Sequence, residues 1–561
     1  MFVKGSFRKP AQLMLVLVVA LSMLLSACSG NNNKPDPSNN GGAANGGETK
    51  APQEFRFTLA SEPPSLDPAL MTDAQSSIVA AGLYEGLTRL NTSGEPKNAI
   101  AKEITPSEDG KTYTIKLRDD VKWSNGESVT AHDFEYAWKR ALNPETASEY
   151  AYMLYYIENA EKYNTGGGTA DEVGIKATDD YTLEVKLYTP APYFPSLLSH
   201  YTYLPVNKGA VDGKPEWASE QATIVSNGPF LLKEWKHEDK LVLEKNPDYY
   251  NASAVNFDKV TISLINDENT VYNLYDTDKI DWIGAQAGSV PTDRTPQLVK
   301  EGKAEITSVA STYYYLFNNN KAPFNNAKIR KAFSMSVDRQ SLIDNVAKAN
   351  QQPAFGLVPP SIAGVEGKMF REMYPDTDFF KEDVAEAKKL LAEGLAESNL
   401  TALPEITLLY NTSEGHKAIA EAVVDMWRQN LGVEVKLANQ EWGTFLESRK
   451  AGQFDIARSG WGADINHPIN FTYDLIHSKS GNNDGKYNNP KVDELLNNSL
   501  VAATPEESVK MMAEAEKIAF AEDMGAMPLY YYTTVTMIKD GFKDVISDYA
   551  GHIDWVFGSK E

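Results

Sequence analysis

Hydrophobic and polar positions follow two different grammars along this chain, and the change falls near residue 313. Before it, short runs alternate with period two: Phe55–Ala60, Tyr113–Arg118, Thr182–Leu187, the pair Phe230–Trp235 and Leu241–Lys245 across a charged turn, and Val260–Ile265. Successive side chains of a strand face opposite ways, so these runs predict strands. Two helices are predicted among them, Ser76–Leu87 and one opened by Thr130-Ala-His-Asp133. Thr130 suits an N-cap and Asp133 the positive end of the helix. Ser61–Pro68 is too rich in proline for helix or central strand.

After residue 313 the period lengthens. A strand, Tyr313–Phe317, and a loop, Asn318–Phe324, lead into a long helix over Ile329–Ala349, with Ile329, Phe333, Val337 and Ile343 on one face. A charged helix spans Glu382–Ala396. Then strands and helices take turns: Ile406–Tyr410, Glu414–Asn430, Val433–Leu437, Trp442–Lys450, Phe454–Ser459. That alternation predicts a parallel sheet covered by helices. Helices near Val492–Ala502 and Glu506–Ala521 precede a return to strands at Pro528–Ile538. The expected class is α/β. The α/β region is inserted into a β-rich one by two crossings, near 313 and 527, which make a hinge.

One stretch concentrates chemistry. The strand ending at Ser459 carries Arg458 and breaks into a loop, Gly460-Trp461-Gly462-Ala463-Asp464. A cation, an aromatic and a carboxylate thus meet at a strand end, where α/β sheets bind ligands. The trio suits a zwitterion, but a well-made loop is equally open on the residues alone.

Length adds that 561 residues exceed one ordinary core, so two or three domains are expected. A formal net charge of −23 argues against a broad electrostatic footprint for nucleic acid. Lys4, Arg8 and Lys9 precede an apolar run, Leu13–Leu25, of signal-peptide length. Cys28 is the only cysteine, so no intramolecular disulfide exists. Leu25-Ser-Ala-Cys28 resembles a bacterial lipobox, which implies cleavage after residue 27 and a lipid on the Cys28 sulfur. Residues 29–53 are rich in Asn and Gly and nearly free of large apolar side chains, hence a tether. The seven histidines form no H-x-x-x-H pair, and neither a G-x-S-x-G elbow nor a P-loop is present. Nothing specifically enzymatic stands out, and no metal or cofactor is expected.

An ordered series of motifs resembles the extracellular solute-binding proteins, family 5. It comprises Gly82-Leu-Tyr-Glu-Gly-Leu87, Val121-Lys-Trp-Ser-Asn-Gly126, Thr130-Ala-His-Asp-Phe134, Asn227-Gly-Pro-Phe230, Lys321-Ala-Pro-Phe324 with Arg330, Tyr410-Asn-Thr-Ser413, Asn439-Gln-Glu-Trp442 and Arg458–Pro468. The likeness runs over about 55–560 and is strongest to the oligopeptide-binding branch. It implies a bilobal periplasmic-binding-protein-like clamp. The first lobe would span 54–312, with an α+β subdomain at about 88–214, the second 313–527, and 528–561 would return to the first. It implies a receptor, not an enzyme, that closes on an oligopeptide and delivers it to the permease subunits of an ABC importer. The receptor would act as a monomer held outside the cell membrane by the Cys28 lipid. By this likeness Asp464 pairs with the peptide α-ammonium, and Arg458 and His416 meet its carboxylate. Trp442, Trp461 and Asn411 line side-chain pockets. The segment containing Asp73 and Ala74, and the Gly460–Ala463 loop with Gly462, bond the peptide backbone. Relatives often follow the carboxylate with Tyr, a variable residue, an acid and Pro. Here Ile465-Asn466-His467-Pro468 follows, leaving Asp464 alone on its loop. Two readings stay open: the same scaffold holding a nickel chelate, sugar or signalling pheromone, and a surface hydrolase.

Overall fold

Strand β1 (Glu54–Leu59) turns Phe55, Phe57 and Leu59 inward, all fully buried, and so begins a core at once. In this computed structural model the described residues are 52–561, except 92, 93, 192, 285 and 376–378, and the side chains of 546 and 547. The expected leader, Cys28 and the tether up to residue 51 lie outside them. Gln53, assigned to the tether by sequence, belongs to the body: its side chain donates to the Lys560 carbonyl at 2.8 Å.

Helix α1 (Ala74–Leu83) follows β1, and four antiparallel strands then form a separate sheet. They are β2 (Ala101–Pro106), β3 (Thr112–Leu117), β4 (Ile175–Asp179) and β5 (Thr182–Lys186), in the order β2-β3-β5-β4. Helix α2 (Ala131–Leu142) packs on this sheet, its start fixed by the Asp133 carboxylate accepting the Thr130 N–H at 2.8 Å. The chain then returns to β1 through β6 (Phe230–Lys236), β7 (Lys240–Lys245) and β8 (Lys259–Leu264), giving the order β1-β8-β7-β6.

The third sheet has seven strands. Its main path is β9 (Trp282–Ile283), β14 (Ala526–Ile538), β10 (Glu305–Phe317), β13 (Ile456–Gly462), β11 (Ile406–Asn411) and β12 (Val435–Gln440). The short strand Gln352–Pro353 pairs with β14 off that path. β10 and β14 are each 13 residues long and run antiparallel side by side, so both passages between the β-rich and α/β parts are one paired ribbon. Their register shifts between Ser308 and Thr312, where Val309, Ala310 and Ser311 bulge. A bulge bends the strand and raises its twist.

Helices α3 (Ala327–Met335), α4 (Val384–Glu397), α5 (Glu414–Leu431) and α6 (Trp442–Lys450) belong to the α/β part. The single helix expected over Ile329–Ala349 is instead α3 followed by a break at Ser336–Asp338, a short helix Arg339–Leu342 and a wider turn Ile343–Ala347. The Asp338 carboxylate caps the Ser341 N–H at 2.8 Å and restarts the chain in a new direction. α5 ends at Gly432, whose φ of +71° is the left-handed conformation that favours glycine. Trp427 on α5 is fully buried and donates its indole N–H to the Phe333 carbonyl at 2.9 Å. Trp427→Ala is expected to lower unfolding free energy by roughly 3–5 kcal/mol in urea titration; a loss under about 1 kcal/mol would mean this core relaxes around the cavity. The C-terminal tail closes on the first part. Trp555 packs its ring at a tilt against Phe57 and Phe230 and donates its indole N–H to the Ile78 carbonyl at 3.1 Å.

Candidate ligand-binding cleft

Strand β13 positions the residues that the sequence singles out. Sequence ends this strand at Ser459, but it continues through Gly460-Trp461-Gly462, each paired to β10. The supposed loop is therefore sheet edge. On its other side β13 pairs with β11 only at Ile456 and Ala457. Among the described residues no strand pairs that side of Arg458–Gly462. Alternate backbone N–H and C=O groups of a strand point to each edge, so an unpaired bonding edge lies open there.

Period two gives this edge a simple face. Positions 458, 460, 462 and 464 share a parity and read Arg, Gly, Gly, Asp. A cation and a carboxylate flank two bare positions, with about 20 Å of strand between their Cα atoms. Gly460 cannot be larger without cost: a Cβ there would stand 3.0 Å from Tyr532 Oη and 3.1 Å from Arg458 Nη2.

The edge faces a cavity of about 680 Å³ walled by both parts of the protein. All the sequence-selected site residues except Ala463 line it: Asp73 and Ala74 from the start of α1, Asn411 from β11, His416 from α5, Trp442 from α6, and Arg458, Gly460, Trp461, Gly462 and Asp464. Ala463 stands behind the wall, fully buried, its N–H bonded to the Ala310 carbonyl at 2.9 Å.

Arg458 is almost buried, yet among the described residues it meets no carboxylate. Nη2 donates to Tyr532 Oη at 2.7 Å, Nη1 reaches Asn411 Oδ1 at 3.4 Å, and the guanidinium lies 5.1 Å from the centre of the Tyr313 ring. Nε has no partner. Burial works against the charge, but the tyrosine hydroxyls of 532, 313 and 530 outweigh it and hold the cation. His416, in the first turn of α5, faces Tyr313 Oη at 3.4 Å. Burial, and then the Arg458 charge, push its pKa well below the usual 6.5, so it stands neutral.

Asp464, at the other end, is not alone on its loop as the sequence implies. Asn470 joins it to a second acid, Asp474: the Asn470 amide donates to Asp464 Oδ2 at 3.2 Å and to Asp474 Oδ2 at 2.7 Å. Burial pushes the Asp474 carboxyl well above the usual range, against the Asn470 bond. The acid missing at His467 is thus offset by Asp474, ten residues beyond Asp464. His200, from the first part, brings Nε2 to 3.6 Å from Asp464 Oδ1. Tyr150 stacks between His200 and Trp461, at 5.0 and 6.3 Å between ring centres. His552 from the C-terminal tail also lines the cavity. Burial alone would lower it, but Asp548 at 3.0 Å lifts it to about 9.

Asp73 departs from a simple binding role. Its carboxylate is used on α1, accepting the Gln75 and Ser76 N–H groups at 3.0 and 3.1 Å and the Ser76 hydroxyl at 2.6 Å. Burial raises its pKa against those bonds and against the nearby Trp442 indole N–H. Sequence reasoning missed His200, Tyr532, Asn470 and His552. Only the aromatic cluster around Tyr150 carried a local signal.

The two parts also touch around the cavity. Lys450 pairs with Glu149 at 2.5 Å, Asn482 donates to Tyr152 Oη at 2.9 Å, and Asn266 donates to the Thr412 carbonyl at 2.9 Å. Beside Asn266, Glu268 meets the start of α5, and burial followed by Glu414 and Asp267 raises its pKa from 4.5 to about 7. A carboxyl raised on folding is penalised only when ionised. The penalty is absent below about 4.5, grows towards 7 and is complete above it. Melting curves of Glu268→Gln and the natural protein should therefore coincide near pH 4, with the variant more stable at pH 8. Parallel curves across that range would contradict the raised value.

The sequence pattern of the bacterial extracellular solute-binding proteins, family 5 Middle, matches residues 95–483. The chain belongs to this family. A Bacillus subtilis family 5 relative, "Oligopeptide-binding protein OppA", is 41% identical over 510 residues, covering 90% of this chain and 92% of its own. Among solved family 5 structures, "Listeria monocytogenes OppA bound to peptide" is 31% identical, covers 91% of this chain and 99% of its own, and superposes with a TM-score of 0.83. The unliganded open form of the murein tripeptide binding protein MppA is 33% identical over 91% and 98% of the two chains, yet its TM-score is 0.61. Equal coverage with a lower score means a different arrangement of parts. The family 5 fold is bilobal and α/β, and its members named here are by name peptide-binding proteins. Among the described residues, no helix is long and apolar enough to cross a membrane.

Proposed function

We propose that this protein is an extracytoplasmic receptor that closes its two lobes on an oligopeptide and presents it to an ABC permease. The observation that carries this reading is the open edge of β13, flanked by a buried guanidinium without a carboxylate and by the Asp464 carboxylate. A peptide is a strand with a cation at one end and an anion at the other. Added along β13, its main chain would take up the free edge, which gives affinity without reading sequence. Its carboxylate would meet Arg458, with neutral His416 beside it, and its ammonium would meet Asp464. Trp442, Trp461 and Asn411 would border its side chains, and the backbone at Asp73 and Ala74 would form the facing wall. The names of the relatives, oligopeptide-binding and peptide-bound, favour peptide over chelate or sugar.

The β10–β14 ribbon, bent at its bulge, serves as the hinge, with lobes at about 54–312 and 313–527, a subdomain near 88–214, and 528–561 returning to the first lobe. The lipid on Cys28 and the following tether would hold a monomeric receptor at the membrane face, within reach of the permease. Calorimetric titration with tri-, tetra- and pentapeptides tests the reading. Saturable binding of unrelated sequences is expected, and binding of sugars or chelates but no peptide would contradict it.

A further inference from the structure

Asn470 has no catalytic or binding signature in sequence, yet it is fully buried and spends its whole amide at the Asp464 end of the cleft. Its Oδ1 accepts the Asp464 backbone N–H at 2.7 Å and the Trp461 indole N–H at 3.2 Å. Its Nδ2 donates to Asp464 Oδ2 and to Asp474 Oδ2. Two acceptor sites and two donor sites are all a primary amide side chain offers. We propose that Asn470 is the positioning residue of the α-ammonium subsite, fixing which Asp464 oxygen a peptide N-terminus meets. This rests on the peptide reading given above.

The geometry assigns the two oxygens of Asp464 different work. Oδ2 is tied to the Asn470 N–H, and the same amide pins the Asp464 main chain, so the side chain is clamped at both ends. Oδ1 is turned towards His200 Nε2, at 3.6 Å, beyond hydrogen-bond distance. His200 Nδ1 accepts the Thr202 N–H at 3.3 Å, so in the neutral ring the proton lies on Nε2. Among the described residues that nitrogen has no acceptor. Oδ1 is therefore the oxygen available to an incoming ammonium. The Trp461 bond to the same Oδ1 of Asn470 ties the aromatic wall to the carboxylate, so both move together. Asp474 stands behind as an anchor and leaves the cleft end with one carboxylate in play.

Neither neighbour in chemistry would serve. Aspartate at 470 would set acceptors against two carboxyl groups. Leucine would leave two backbone or indole donors and two carboxyl oxygens without partners.

The test compares one pentapeptide with its N-acetylated form by calorimetry, on the natural protein, Asp464→Ala and Asn470→Ala. The natural protein should prefer the free amine by about a hundredfold, the scale of stranding one partner of a buried charge pair. Asp464→Ala should abolish that preference. Asn470→Ala should cut it by about fivefold while affinity for the acetylated peptide stays within about twofold. Equal losses for both peptides, or an unchanged preference in Asn470→Ala, would overturn the positioning role while leaving the Asp464 reading intact. A preference that survives Asp464→Ala overturns both. If Asn470→Ala does not fold, Asn470→Ser is used with the same outcomes, because its shorter side chain cannot bridge the two carboxyl groups.

Discussion

Replacing Arg458 with methionine is expected to weaken binding of a free-carboxylate peptide by roughly a hundredfold to a thousandfold, the cost of stranding one partner of a buried ion pair. The same peptide with an amidated C-terminus should bind the natural protein about that much more weakly and be nearly indifferent to the substitution. The reason lies in the unliganded cleft. Arg458 is 9% exposed and supported by Tyr532, Asn411 and the Tyr313 ring, none of which is an anion. Among the described residues no anion neutralises the charge until a carboxylate arrives. Stability should move the other way: removing a buried, unneutralised charge leaves the melting temperature unchanged or raises it. Equal weakening of acid and amide peptides would mean that Arg458 only shapes the wall.

Asp464→Ala is the counterpart at the other terminus. Affinity for a peptide with a free amine should fall about a hundredfold by calorimetry, and affinity for its N-acetylated form should change little. Loss of the same size for both forms would show that the substitution disturbs β13 and its neighbours instead of removing an ammonium partner. Unchanged affinity would take Asp464 out of the site. Together the two substitutions also fix polarity. The expected outcomes would place the peptide N-terminus beside His200 and Tyr150 and its C-terminus beside His416 and Tyr532.

Local pattern carried much of the fold. Strands β1, β3, β5, β6, β7 and β8 and helices α2, α5 and α6 alternate or repeat as their burial requires, so they could be read from spacing. Three features could not. The extension of β13 through Gly460 and Gly462 is hidden because glycine lowers strand propensity, and the strand exists there because β10 pairs with it. The break at Ser336–Asp338 interrupts an apolar repeat that continues in register, so periodicity reads straight through it. The partners of the site residues come from far along the chain. Tyr532 lies 74 residues from Arg458, and His200 lies 264 residues before Asp464, in the first, β-rich part of the chain. Asn470 is six residues from Asp464, but its four bonds arise only when the chain after Pro468 turns back. The residues lining the cavity from β11, α5 and α6 were selected through family resemblance and not through spacing, since Asn411, His416 and Trp442 each fit a plain packing or surface role in sequence.

The open β13 edge with opposite charges at its ends is the core of the account, and native mass spectrometry of the protein purified from its own host tests it most directly. The account predicts retained ligands that fragment as short peptides of varied sequence, with free amino and carboxyl termini. Retained sugars or metal chelates, or peptides lacking a free terminus, would contradict it.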